Sequence, residues 1–185
     1  MRTFVAIALE PKIKHTLSQF IKKLEDHNPN IRWVREQGMH LTLKFIGEIP
    51  ENRVEKILSV LRDLSAEHEC FPLLLRGTGS FPPRSKCPRI LWVGIQENQG
   101  LFSVQHDIES LLEKVSIARE NRRFSPHLTL GRVKSSHNIA PVLDILADNK
   151  DTEFGSMEVQ EIIFFKSTLK PTGAEYSALE KIRLK

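Results

Sequence analysis

The sequence predicts an α+β protein with two antiparallel sheets flanked by helices, and three observations point there. β-prone apolar runs alternate with amphipathic helical stretches along all 185 residues. The connections between them are short and rich in turn residues, which favours antiparallel pairing over a doubly wound sheet. A tetrapeptide, His-Leu-Thr-Leu, occurs twice, at His40 and at His127, 87 residues apart (127 minus 40) and so close to half the chain length.

Taken in order, Phe4 to Leu9 is apolar and β-prone, and reads as a buried first strand. Pro11 opens a helix, and Ile13, Leu17, Phe20, Ile21 and Leu24 share one face of it. Asn28-Pro29-Asn30 ends that element. Ile31 to Val34 is a short strand and His40 to Ile46 a longer one, closed by Gly47 and Pro50. Val54, Ile57, Leu58, Leu61 and Leu64 recur at helical spacing, which predicts a second helix over Glu51 to Glu67.

Phe71 to Leu75 and Ile90 to Ile95 read as strands, with a turn-rich loop over Gly77 to Lys86 between them. A third helix carries Leu101, Val104, Ile108, Leu111, Leu112 and Val115 on one side. The basic stretch Arg119 to Arg123 precedes a strand from His127 to Val133. A short helix over Ile139 to Leu146 follows, and strands over Val159 to Phe165 and Tyr176 to Leu184 flank a Lys170-Pro171-Thr172-Gly173 turn. No long linker divides the chain, so residues 1–185 read as a single domain of two lobes.

Composition narrows the function classes. Hydrophobic residues make up 40% and charged residues 27%, values of a folded chain with a real core. The net charge of +4 and pI near 9.1 favour an anionic partner but fall short of a nucleic-acid wrapper. Cys70 and Cys87 form no CxxC pair and are too few for a disulfide framework; both read as reduced packing residues. No apolar run approaches the roughly 20 residues that span a bilayer, and the N-terminal run is interrupted by Glu10-Pro11-Lys12. A cytoplasmic protein with no membrane association is expected.

The repeated tetrapeptide carries the chemistry. Side chains on a strand alternate between faces, so His40 shares a face with Thr42, and His127 with Thr129. The leucines of each copy take the opposite face and anchor it in a core. A single His-Leu-Thr-Leu is an ordinary amphipathic strand. Two copies at lobe-scale spacing predict two strands that each offer one imidazole and one hydroxyl to a common site.

On these residues the chain resembles the two-histidine (2H) phosphoesterase superfamily, defined by paired His-x-Thr-x motifs. It looks most like the bacterial and archaeal RNA 2′,3′-cyclic phosphodiesterases. Arg2-Thr3-Phe4-Val5-Ala6-Ile7, His40 to Gly47, Pro126 to Arg132 and Leu169 to Tyr176 all fit that pattern. The resemblance implies a bilobal fold with pseudo-twofold symmetry around a central cleft. It also implies hydrolysis of 2′,3′-cyclic phosphate ends to 2′-phosphomonoesters, with His40 as proton donor and His127 as proton acceptor. Some members join RNA ends through a 2′–5′ linkage.

Cyclic phosphate hydrolysis needs a base for the attacking water, an acid for the leaving ribose oxygen and donors for the developing negative charge. Imidazoles with pKa values near 6.5 serve as both base and acid near neutral pH. The two motifs are too alike for the residues alone to say which histidine plays which part. Thr42 and Thr129 are the natural donors to the non-bridging oxygens. No metal ligand set accompanies the histidines at a matching spacing, so neither metal nor cofactor is expected.

Arg132 is a further phosphate contact if Gly131 supports a bulge, because strict alternation would turn it away from His127. Phe45 and Trp92 are candidates for stacking on a base. Lys44, Arg84, Lys86, Arg89, Arg122 and Arg123 could form a basic rim. His15, His27, His68, His106 and His137 have no partner motif and are expected at the surface. A monomer acting on RNA or a nucleotide with a 2′,3′-cyclic phosphate is the expected form. The competing readings are 2′–5′ RNA ligation, the same chemistry on another cyclic phosphate such as that of ADP-ribose, and a binding module for RNA ends with little turnover.

Overall fold

The computed structural model describes residues 1–171 and 173–185; Thr172, in the predicted turn Lys170 to Gly173, lies outside the described residues. The strands form two sheets in which neighbours run antiparallel. In the first, β1 (Arg2–Ala8) lies between β3 (His40–Glu48) and β8 (Glu161–Lys170), with β9 (Gly173–Arg183) outside β8. In the second the order is β2 (Ile31–Trp33), β6 (His127–Val133), β5 (Ile90–Ile95), β4 (Phe71–Phe81) and β7 (Glu153–Val159). The halves of the chain exchange strands. β2 and β4 come from the first half but join the second sheet, and β8 and β9 return from the second half to complete the first.

Within this exchange a strand–helix–strand unit is repeated. β1, α1 (Pro11–Glu25) and β3 form one copy, and β5, α4 (Gln99–Lys114) and β6 the other. Pro11 sits in the first turn of α1, where its missing N–H costs nothing. The predicted face of Ile13, Leu17, Phe20, Ile21 and Leu24 is buried throughout. Asn98 caps α4 by accepting a 3.1 Å hydrogen bond from the Leu101 N–H. Leu101, Val104, Ile108 and Leu112 of α4 are fully buried, and the motif leucines Leu41, Leu43, Leu128 and Leu130 join the same core.

Each motif strand carries a bulge at the same place. Between β1 and β3, Ala6 pairs with Thr42 but Val5 pairs with Lys44, so Leu43 is skipped. Between β5 and β6, Trp92 pairs with Thr129 but Leu91 pairs with Gly131, so Leu130 is skipped. In both cases the extra residue is the third after the histidine. A bulge reverses the parity of every residue beyond it. Two consecutive positions therefore point inward, Leu43-Lys44 in one strand and Leu130-Gly131 in the other. The next residues, Phe45 and Arg132, return to the histidine face.

That parity change corrects one expectation. Lys44 does not belong to a basic rim. It is buried beneath β3, where its ammonium lies 2.7 Å from the Glu109 carboxylate of α4 and donates to the Ala118 carbonyl at 2.8 Å. Glu109 also accepts from the Glu120 N–H at 3.2 Å. This ion pair ties the first motif strand to the segment leading into the second.

Other elements differ from the sequence prediction for local reasons. The helix expected over Glu51 to Glu67 is a 3₁₀ turn (Glu51–Arg53), α2 (Val54–Leu61) and α3 (Leu64–Glu67). Its ladder breaks at Arg62-Asp63, where Ser65 N–H bonds Arg62 C=O and Ala66 N–H bonds Asp63 C=O, three residues back. The predicted loop begins late, because β4 runs on through Gly77-Thr78-Gly79-Ser80 to Phe81. Gly77, at φ +78°, sits at the irregularity where β4 shifts register against β5. β7 escaped prediction because only Phe154 and Val159 of it are buried, too sparse a pattern to read as a strand. α5 (Ile139–Asp148) matches its prediction with two residues added. Cys87 is exposed rather than packed. His68 is buried, with its Nε2 2.9 Å from an Asp107 carboxylate oxygen, rather than at the surface. No helix among the described residues is long and apolar enough to cross a membrane.

Candidate active site

The site is built on the two bulged strands. β3 is the edge strand of the first sheet, and it packs against β6 of the second. The pleat puts His40 and Thr42 on one face of β3, and His127 and Thr129 on one face of β6; all four are half-buried, between buried leucines. Among the described residues, neither threonine hydroxyl is engaged by another protein group, which leaves both free to donate.

His127 Nδ1 lies 2.7 Å from the Ser125 carbonyl oxygen. A carbonyl only accepts, so Nδ1 carries the proton and Nε2 of the neutral ring presents its lone pair. The second motif strand therefore fixes its ring through the backbone immediately before the motif. The Gly38 carbonyl, also two residues back along the chain, is among the groups that act on the pKa of His40. Neither Gly38 nor Ser125 was singled out from the sequence, and a carbonyl leaves no residue-type signal to find.

The surroundings of the two rings differ. His40 packs among aromatic side chains: Phe4 at 4.8 Å and Tyr176 at 4.9 Å between ring centroids, with Phe165 at 6.3 Å. Burial there pulls its pKa down to about 4, with the nearby Lys14 adding to the effect and the Gly38 carbonyl opposing it. His127 instead lines an open hollow of about 540 Å³, with Phe81 edge-on at 5.1 Å. His40 does not line that hollow. Phe4, Tyr176 and Phe81 are site neighbours that periodicity did not reveal, because each comes from a strand other than the motif strands.

The depressed His40 pKa has a consequence for stability. The unfolded ring titrates near 6.5 and the folded ring near 4, so between these values the unfolded chain binds more protons. Stability therefore falls as pH drops from about 6.5 through about 4, by no more than roughly 3 kcal/mol. Denaturant unfolding across this range should show the loss in the natural protein and a smaller one in His40→Gln. Parallel curves would remove the assigned cause.

The remaining candidates sort by position. Trp92 is half-buried and lines the hollow. Its indole lies flat over glycine: a Cβ built on Gly79 would come within 2.4 Å of the ring, and one on Gly94 within 3.3 Å. Its N–H is buried without an acceptor among the described residues. Phe45 is 65% exposed on the His40 face. Arg132 is exposed on the His127 face, as the bulge at Leu130 requires. Arg84, Lys86, Arg89, Arg122 and Arg123 are all exposed, but only Arg123 lines the hollow. Among the described residues no three His, Cys, Asp or Glu side chains are grouped to hold a metal ion.

Known proteins share this fold. The family profile described as LigT like phosphoesterase matches the chain twice, over residues 7–92 and 93–176, so the duplication extends from the tetrapeptide to the two halves. A protein of Methanothermobacter thermautotrophicus named RNA 2′,3′-cyclic phosphodiesterase is 30% identical, across all of this chain and 99% of its own length. One of the same name from Methanocaldococcus jannaschii is 33% identical, across 98% of this chain and 99% of its own. The crystal structure of TT0787 of Thermus thermophilus superposes with a TM-score of 0.84 at 29% identity, covering all of this chain and 98% of that one.

Proposed function

The chain belongs to the LigT-like phosphoesterase family of 2H phosphoesterases, and from that membership we propose that it hydrolyses RNA 2′,3′-cyclic phosphate ends to 2′-phosphomonoesters. The observation that carries the reading is the pair of bulged His-Leu-Thr-Leu strands, with the His127 imidazole held by a carbonyl two residues back.

In the proposed reaction His127 is the base. Its Nε2 lone pair takes a proton from water as the water oxygen attacks phosphorus. The bond from phosphorus to the ribose 3′ oxygen breaks, His40 gives that oxygen its proton, and the phosphate stays on the 2′ oxygen. Thr42 and Thr129 donate to the non-bridging oxygens, and Arg132 adds a charge-assisted contact from the His127 face. Phe45 and Trp92 offer surfaces for a base. Imidazoles and hydroxyls supply every proton and donor the step needs, so the reaction proceeds without a metal or cofactor.

The acid role places a demand on His40. With its pKa near 4 the ring is neutral at pH 7 in the free protein. A phosphate anion within about 4–6 Å favours the charged imidazole, so substrate binding would have to raise this pKa and load the proton that catalysis spends. We propose further that residues 1–185 act as one domain, as a monomer, in the cytoplasm.

The test is product analysis on a cyclic-ended oligoribonucleotide in EDTA. A 2′-phosphate is the expected product. Binding without turnover would leave only an RNA-end binder, and loss of activity in EDTA would remove the metal-free mechanism. Added 5′-hydroxyl RNA distinguishes the 2′–5′ joining reaction by the appearance of a longer product.

A further inference from the structure

We propose that the hollow beside His127 is a second nucleotide subsite, which takes the nucleotide on the 5′ side of the cyclic end together with its phosphodiester. The inference rests on the cyclic phosphodiesterase reading and specifies its substrate as an oligonucleotide rather than a free cyclic mononucleotide.

A nucleoside 2′,3′-cyclic phosphate carries a single negative charge, and the histidines, threonines and Arg132 are already assigned to it. The hollow adds Arg76, Arg123 and Lys150 to its lining. Among the described residues neither Arg123 nor Lys150 has an ion-pair partner, and Arg76 meets Glu153 only at 4.0 Å. One carboxylate, Glu97, lines the same hollow, so the cations exceed the anion by two. These cations call for a second phosphate, and in an RNA chain the linkage preceding the terminal nucleotide supplies it.

Shape and surface agree. A hollow of about 540 Å³ falls within the roughly 300–1,000 Å³ of small-ligand pockets. Its walls include Phe81 and Trp92, tilted against each other at 5.3 Å, and Phe124, held edge-on by Phe102 at 5.8 Å. Aromatic faces interleaved with cations are the chemistry that grips single-stranded nucleic acid without reading its sequence. The position also fits. In the ladder Trp92 is directly opposite Thr129, and Gly94 directly opposite His127. The glycines at 79 and 94 let the indole lie flat next to the reacting phosphate, and the cations lie on the hollow's lining beyond it.

The experiment compares the natural protein on adenosine 2′,3′-cyclic phosphate and on the dinucleotide ApA ending in the same cyclic phosphate. The dinucleotide should have the higher kcat/KM by roughly tenfold or more, mostly through KM, as expected for one added stacked base. A dinucleotide whose linkage is a neutral methylphosphonate should lose most of that advantage, and this arm requires no variant to fold. In Arg123→Ala/Lys150→Ala the ratio of dinucleotide to mononucleotide kcat/KM should fall towards one. Equal kcat/KM for both substrates, or an unchanged ratio with the neutral linkage, overturns the subsite while leaving the cyclic phosphodiesterase reading intact. Turnover of neither substrate overturns the underlying activity instead.

Discussion

His127→Ala should lower kcat on a cyclic-ended oligonucleotide by about 10²–10⁴-fold, the range for loss of a positioned general acid or base. The fold should survive. The ring borders an open hollow and, among the described residues, its one protein hydrogen bond is to the Ser125 carbonyl, so its removal leaves no buried polar group stranded there. His40→Ala should cost activity to a similar extent but also lower the Tm, because its ring packs against Phe4 and Tyr176 and leaves a cavity. Activity and thermal unfolding measured on both variants separate the two effects. Retention of more than about a tenth of kcat by folded His127→Ala is incompatible with a paired acid–base mechanism.

Glu109→Ala should destabilise the protein by about 3–5 kcal/mol, a large fraction of the stability of an ordinary domain. The Lys44 side chain is 5% exposed and that of Glu109 9%, with the charges 2.7 Å apart. Removing the carboxylate strands an ammonium under the sheet and frees the Glu120 N–H. The paired replacement Lys44→Met/Glu109→Leu should recover most of the loss, because a buried pair repays its desolvation poorly against apolar packing. Denaturant unfolding of the three proteins gives the comparison. A single variant within about 1 kcal/mol of the natural protein, well below the range for breaking a buried pair, would show the pair to be solvated. The segment that the pair fastens leads to Ser125, so the single variant should also lower activity beyond its effect on stability.

Much of this was legible from residues alone because local periodicity carries it. The five-residue apolar face of α1, the His127–Val133 strand and the alternation of histidine and threonine against leucine follow from helix and strand geometry within short windows. The repeat itself announced two equivalent strands, and the twofold match of the family profile to the chain has the same origin. What failed locally did so where tertiary partners decided. Gly77 to Ser80 read as a loop by residue type, yet Thr78, Gly79 and Ser80 pair with Val93, Trp92 and Leu91 of β5 and continue the strand. His68 looked like a surface residue, yet the C-terminal Lys185 bonds its carbonyl and α4 covers its ring with Asp107.

The sequence by itself determined which residues could do chemistry: His40, Thr42, His127 and Thr129, each pair sharing a strand face because the pleat has a period of two. Only the tertiary structure decided which later residues stay with them. A bulge is set by the register between two strands distant in sequence, Val5 against Lys44 and Leu91 against Gly131, and no window along one strand contains that information. Those two skipped residues send Lys44 into the core to meet Glu109 and turn Phe45 and Arg132 outward beside the histidines. The surrounding strands also leave His40 among aromatic rings and His127 beside an open hollow, so that two identical tetrapeptides have different environments.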